Sequence, residues 1–108
     1  MELEREIEKW LGREMRSFGC LWYKWVSPGA RGVPDRIAIL PDGRVLFVEL
    51  KTENGKLSPL QVQQIERLRT WQQHVAVIRG MDDARDLAAR LEKKYGRPGG
   101  RRGGGGRK

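Results

Sequence analysis

Leu3, Ile7, Trp10, Leu11, Met15 and Phe18 recur at the three-and-four spacing of an amphipathic helix, and Gly19 follows as a natural C-cap. Cys20 to Val26 then reads as a strand, and Ser27 to Pro34 as a loop. From Asp35 to Lys51 two apolar runs flank a turn, Ile37-Ala38-Ile39-Leu40 before it and Val45-Leu46-Phe47-Val48 with Leu50 after it. A second helix is expected over Gln61 to Trp71, with Leu60, Ile65, Leu68 and Trp71 as core contacts. Val75 to Ile78 reads as a short buried strand, and Asp82 is expected to cap a last helix ending at Tyr95. The path is helix, strand, strand, strand, helix, strand, helix, which predicts an α/β fold with a mixed sheet flanked by helices.

The turn sets the register of the hairpin. Pro41-Asp42-Gly43 reads as a three-residue loop, a type I turn followed by a left-handed glycine closing a G1 bulge. That pairs Leu40 with Arg44 and, counting outward, Asp35 with Glu49. Asp35, Ile37 and Ile39 then share a face with Val45, Phe47, Glu49 and Lys51, the apolar end filling the core and the charged end forming a site. A two-residue loop at Asp42-Gly43 would oppose Asp35 to Leu50 and split the carboxylates between faces. Carboxylates stranded among apolar residues need a partner or a metal, because burying them alone costs several kcal/mol.

These residues resemble a known family. Gly32-Val33-Pro34-Asp35, then Glu49-Leu50-Lys51, then Leu57-Ser58-Pro59-Leu60-Gln61 are similar to the PD-(D/E)XK nuclease superfamily, and within it to the virus-type replication-repair nuclease (VRR-NUC) domain. The resemblance runs from about Leu3 to Ile78 and implies a restriction-endonuclease-like core. It also implies a catalytic set of Asp35, Glu49, Lys51 and Gln61. Asp35, Glu49 and the backbone carbonyl of Leu50 would bind Mg²⁺ or Mn²⁺, hard cations that take oxygen ligands and leave positions for water and phosphate. Lys51 would orient or deprotonate the attacking water, a base role that burial favours and the neighbouring carboxylates oppose. Taken without Asp35, Glu49 and Lys51 would be an ordinary ion pair at a strand end.

Two further residues carry alternatives. The family places a glutamate on the first helix, and a helical wheel puts Glu4 within the apolar arc and Glu8 at its margin, with Glu6 facing away. Glu4 is therefore the first choice and Glu8 the reserve, although Glu14 also falls inside the arc. Gln61 completes a capping box with Ser58, which accounts for it without chemistry, while the family sets a glutamine beside the catalytic lysine. Both roles stand, and one residue can hold both.

Among basic residues, Lys24, Arg31, Arg36 and Lys56 are candidates for the DNA backbone near the Asp35 loop, against the ordinary reading of solvated cations. Trp22, Trp25 and Trp71 read as core more readily than as base-stacking platforms, and His74 as a surface or packing histidine. The net charge is +8, but Arg97, Arg101, Arg102, Arg107 and Lys108 supply five of it, leaving +3 for residues 1–95. The chain thus divides into a nuclease domain over 1–95 and a Gly/Arg-rich basic tail over 96–108, whose composition predicts disorder. The single cysteine, Cys20, excludes an intrachain disulfide and supplies no zinc set. No apolar run approaches a membrane span and no signal peptide opens the chain, which points to the cytoplasm of a phage-infected or bacterial cell, or the nucleus of a eukaryote.

The expectation is a metal-dependent DNA endonuclease that leaves 5′-phosphate and 3′-hydroxyl ends. By resemblance to junction resolvases it would act as a homodimer on branched DNA. The alternatives are a flap or nicking nuclease of the same fold, or a nonenzymatic basic nucleic-acid-binding module, which would have no need of Asp35, Glu49 and Lys51 together.

Overall fold

A computed structural model describes residues 3–97. Helix α1 (Glu4–Ser17) ends in a Schellman motif: Gly19, with φ of 91°, donates to the Arg16 carbonyl at 3.0 Å and Cys20 to that of Met15 at 3.0 Å. Strands β1 (Leu21–Lys24), β2 (Arg36–Ile39) and β3 (Val45–Lys51) form an antiparallel meander. Helix α2 (Pro59–Thr70) crosses over to β4 (His74–Arg79), which lies parallel to β3, and α3 (Gly80–Tyr95) follows directly. The sheet order is β1-β2-β3-β4, the mixed sheet that the hydrophobic pattern predicts.

The turn closes as its residues dictate. Gly43, with φ of 92°, donates to Leu40, and the Leu40 amide donates to the Arg44 carbonyl, both at 2.8 Å. Asp42 accepts from the Arg44 amide at 3.0 Å, and the Tyr95 hydroxyl donates to Asp42 at 2.8 Å, tying the turn to the end of α3. Register then runs from Ile39 opposite Val45 to Arg36 opposite Val48, so Asp35 faces Glu49 one step further out. Beyond β1 the ladder gains one more rung, as Trp25 donates to the Asp35 carbonyl at 2.9 Å.

The core lies on the face opposite to the one expected. Ala38, Val48 and Leu50, with Trp22 and Ile78, are sealed beneath Ile7, Leu11, Met15 and Phe18 of the first helical segment and Ala84, Leu87, Ala88 and Leu91 of α3. Ile37, Ile39, Val45 and Phe47, on the face of Asp35 and Glu49, are only half-buried. The reason is that α1 and α3 both pack on one side, leaving the other to α2 and to the Trp25 ring, tilted against Phe47 with centroids 5.1 Å apart. Helix α2 buries Ile65 alone; Leu60 is 45% and Trp71 73% exposed, so neither is the core contact its spacing suggests.

Two boundaries also move. Helix α3 begins two residues before Asp82, and it is Asp83 that accepts from the Arg79 amide at 2.8 Å, while Asp82 is exposed and pairs with Arg85. The body extends past Tyr95 to Arg97, whose guanidinium bonds Glu14 at 2.6 Å and Glu92 at 3.0 Å and sits over the Phe18 ring. The tail proposed for 96–108 therefore loses Gly96 and Arg97 to the body, and the remainder lies outside the described residues. Cys20 is buried, its thiol pushed up to about 11 by burial. Among the described residues no helix is long and apolar enough to cross a membrane.

The loop between β1 and β2 is docked on α2 through a glycine. Gly32 has φ of 86°, and a Cβ there would lie 2.7 Å from the Leu60 carbonyl oxygen. Gly43 has the same handedness but open space around it. Gly32→Ala should lower stability by about 2–3 kcal/mol, strain plus clash, and Gly43→Ala by only about 1 kcal/mol. Urea denaturation of the two variants checks this, and equal losses would mean that the Leu60 contact contributes nothing.

Candidate active site

Asp35 stands on the last residue of the loop, behind the fully buried Pro34. Its Oδ1 is buried and accepts no hydrogen bond. Burial pushes its pKa up, and the Arg36 charge and the Leu50 amide recover only part of that cost. Glu49 stands opposite on β3 and is the one charged side chain among the described residues that is buried, at 3% exposure. Burial raises its pKa to about 7, with the Asp35 charge adding to the effect and the Lys51 ammonium opposing it.

Two residues reach Glu49 directly, both at Oε2. The Gln61 side-chain amide donates to it at 2.9 Å, and the Lys51 Nζ lies 3.8 Å away, an ion pair too long for a hydrogen bond. Gln61 keeps its capping role as well: its Oε1 accepts from the Ser58 amide at 2.8 Å, and its own amide donates to the Ser58 hydroxyl at 3.1 Å. The two ends of this side chain thus serve the cap and Glu49. The first turn of α2 is locked to β3 through one side chain.

The two helix acids part company. Glu8 accepts from the Trp22 indole at 3.0 Å and from Arg36 Nε at 3.2 Å, fastening α1 to the sheet on the core side. Burial works against its charge, but these donors outweigh it and hold the carboxyl below its ordinary value. Glu4, in the first turn of α1, is exposed, and its charge lies close enough to push both Asp35 and Glu49 upward. Glu14, the third acid within the apolar arc, pairs with Arg97. Of the three, Glu4 is the one whose field reaches the carboxylate pair.

The basic candidates also separate. Arg36 is occupied, paired with Glu8 and donating to the Asp35 carbonyl at 2.9 Å, so its guanidinium supports the loop from within and is not free for a phosphate. Lys24 pairs with Arg36 in the ladder and so points to the face opposite Glu49. Arg31 and Lys56 are exposed on the loops either side of the pair, without hydrogen bonds or ion pairs among the described residues. Sequence reasoning missed Arg79. It is the register partner of Lys51 in the parallel β3/β4 ladder, on the same face, exposed, with a guanidinium that bonds nothing among the described residues. A cation closing a buried apolar strand was the available signal, but only the crossover register sets it beside Lys51.

What could such a group hold? Among the described residues no three His, Cys, Asp or Glu side chains gather at metal-binding distance. A cation here would rest on Asp35 and Glu49 and take its remaining oxygens from backbone or water, which suits Mg²⁺ or Mn²⁺ rather than zinc. The orphaned Asp35 oxygen and the raised carboxyls are the marks of a pair whose charge the protein alone leaves uncompensated.

Comparison with known proteins identifies the family and the fold. The family model described as "VRR-NUC domain" matches residues 5–82. A protein of Acyrthosiphon pisum secondary endosymbiont phage 1, named "Putative nuclease p44", is 44% identical over 93 residues, spanning 84% of this chain and 96% of that one. A solved structure described as "VRR_NUC domain" superposes with a TM-score of 0.74 at 31% identity, covering 80% of this chain and 94% of the other. A second, "VRR_NUC domain protein", shares the fold with a TM-score of 0.68 at 19% identity, covering 85% and 89%. The chain belongs to the VRR-NUC family of nuclease domains.

Proposed function

We propose that this nuclease domain is a divalent-metal-dependent DNA endonuclease that cuts branched DNA as a homodimer. One observation carries the metal dependence: a buried carboxylate oxygen of Asp35 without a donor, facing a glutamate whose pKa burial has raised to about 7. Asp35, Glu49 and the Leu50 carbonyl would hold Mg²⁺ or Mn²⁺. The cation would supply charge to polarise a phosphoryl oxygen and acidify a bound water. Lys51, the half-buried cation at the strand end, orients the attacking water and offsets negative charge gathering on the phosphate. Gln61 fixes the rotamer of Glu49 through Oε2. Glu4 lies at the rim as a further acid, and Arg31, Lys56 and Arg79 are placed to meet neighbouring phosphates.

Homodimerisation is supported by apolar surface that α1 and α3 do not cover. Leu21, Tyr23 and Val26 are more than half exposed on and beside edge strand β1, and Trp71 is 73% exposed at the end of α2. Exposed apolar side chains gathered on an edge strand, as Leu21, Tyr23 and Val26 are, suit a contact surface.

Cleavage assays with four-way junction, flap and linear duplex DNA test the proposal. Asp35→Ala and Lys51→Ala should each lower cutting at least about 100-fold in Mg²⁺ or Mn²⁺ while leaving binding largely intact. Chelation should have the same effect on the unaltered protein, and binding without metal-dependent cutting of any substrate would defeat the reading. Glu4→Gln should reduce cutting with little change in stability, whereas Glu8→Gln should lose about 1–3 kcal/mol of stability.

Stability should also reveal the carboxylate pair. Glu49 binds its proton more tightly folded than unfolded, so its contribution is complete below about pH 4.5 and is lost as pH rises through about 7. In chelator the protein should therefore weaken between pH 5 and 8, by at most roughly 3 kcal/mol from this residue. Glu49→Gln should flatten that slope, and Mg²⁺ or Mn²⁺ should raise the melting temperature more at pH 8 than at pH 5. A metal shift independent of pH would place the cation elsewhere.

A further inference from the structure

At the far end of the sheet from Glu49, a groove of about 890 Å³ runs between the start of β4 and the C-terminal half of α3. Its floor is apolar, built from Leu40, Leu46, Val75, Ala76, Leu87 and Leu91. Its rim carries Arg44, Arg69, Arg90 and Lys94, together with His74, and no acidic residue lines it. Residues 1–95 carry only +3 in all, yet this one groove gathers four cations. Not all of that charge is free. Arg44 is paired with Asp42, and Arg69 donates to the Val75 carbonyl at 2.8 Å. Arg90 makes no hydrogen bond or ion pair among the described residues, and Lys94 lies 5.5 Å over the Tyr95 ring and makes no ion pair among them either.

We infer that this groove is a second nucleic-acid contact, one that takes a single-stranded segment of the substrate. The inference rests on the nuclease reading above and adds to it the form of the nucleic acid at a distance from the cut. A duplex presents phosphates and needs only cations to meet them, whereas an unpaired strand also presents base faces that seek apolar surface. Floor and rim here offer both, side by side. The groove takes in Val45 and Leu46, and Glu49 of the carboxylate pair lies four residues further along β3 (Val45–Lys51), about 13 Å at roughly 3.3 Å per residue, or some four nucleotides of stacked strand. A strand leaving the carboxylate end along the sheet therefore reaches the groove within one short arm.

Arg90→Gln and Lys94→Gln together remove two cations that hold no other element in place. Binding of a fluorescent single-stranded oligonucleotide, followed by anisotropy in chelator across a range of salt, should lose about tenfold in affinity. Its log–log salt slope should fall by about 1.4, from two fewer phosphates neutralised. Affinity for a blunt duplex of the same length should change less than threefold. The double variant Lys9→Gln/Arg13→Gln, two exposed cations of α1, controls for net charge and should leave single-strand binding nearly unchanged. An unchanged slope in the groove variant, an equal loss in the α1 variant, or an equal loss for blunt duplex would each overturn the inference. Because chelator suppresses cutting, a protein that binds as expected but never cleaves would sink the nuclease reading and leave the groove standing. One that cleaves with an unaltered slope would do the reverse.

Discussion

The antiparallel register between β2 and β3 determines where every other group at the site can be. Asp35 and Glu49 are fourteen positions apart, and they meet only because the bulged turn at Pro41-Asp42-Gly43 pairs Leu40 with Arg44. A shift of one residue would send Glu49 and Lys51 to the face packed by α1 and α3, where a carboxylate would meet Leu11 and Leu87 rather than Gln61. The turn is accordingly held from several sides. Asp42 binds the Arg44 amide and side chain, and Tyr95 reaches across from the end of α3 to the same carboxylate. The far end of the molecule thus fixes the geometry of the near one.

The cost of the site falls on the weakly packed face of the sheet. Burial alone raises both carboxyl pKa values, and the pair further opposes itself, so a metal-free protein carries Glu49 near the midpoint of its titration at neutral pH. That penalty is tolerable because stability comes from the opposite face, where Ile7, Leu11, Met15 and Phe18 are fully buried against Ala38, Val48 and Leu50. A cation arriving between the carboxylates would relieve strain already present, which is how a binding site gains affinity from the folded state's own electrostatics.

Much of this was legible in the chain. Turn chemistry is local, so Pro41, Asp42 and Gly43 disclosed the register, and Ser58, Pro59 and Gln61 disclosed where α2 begins. What stayed hidden depends on tertiary placement. Alternation separates two faces of a strand but does not say which one the helices will cover, and Ile37, Ile39, Val45 and Phe47 are as apolar as Ala38, Leu46, Val48 and Leu50. A helical wheel admits Glu4, Glu8 and Glu14 alike, and only their partners tell them apart: Trp22 and Arg36 for Glu8, Arg97 for Glu14, the carboxylate pair for Glu4. Arg36 adjoins Asp35 in sequence yet faces the other way, and Arg79 is twenty-eight positions from Lys51 yet beside it.

Gln61 shows how the site constrains a position that secondary structure alone leaves free. A capping box accepts either glutamate or glutamine at its third position, since only a side-chain oxygen is needed to receive the N-cap amide. Here that oxygen is already committed to Ser58, and the group left over faces the buried Glu49 carboxylate at 2.9 Å. A glutamate would cap the helix equally well and then press a second negative oxygen against a carboxyl whose pKa burial has already raised. Glutamine alone can accept at one end and donate at the other. The amide is held in one orientation by the helix, so its N–H points at Glu49 whether or not substrate is near, and the carboxylate is aimed by the same bonds that start α2.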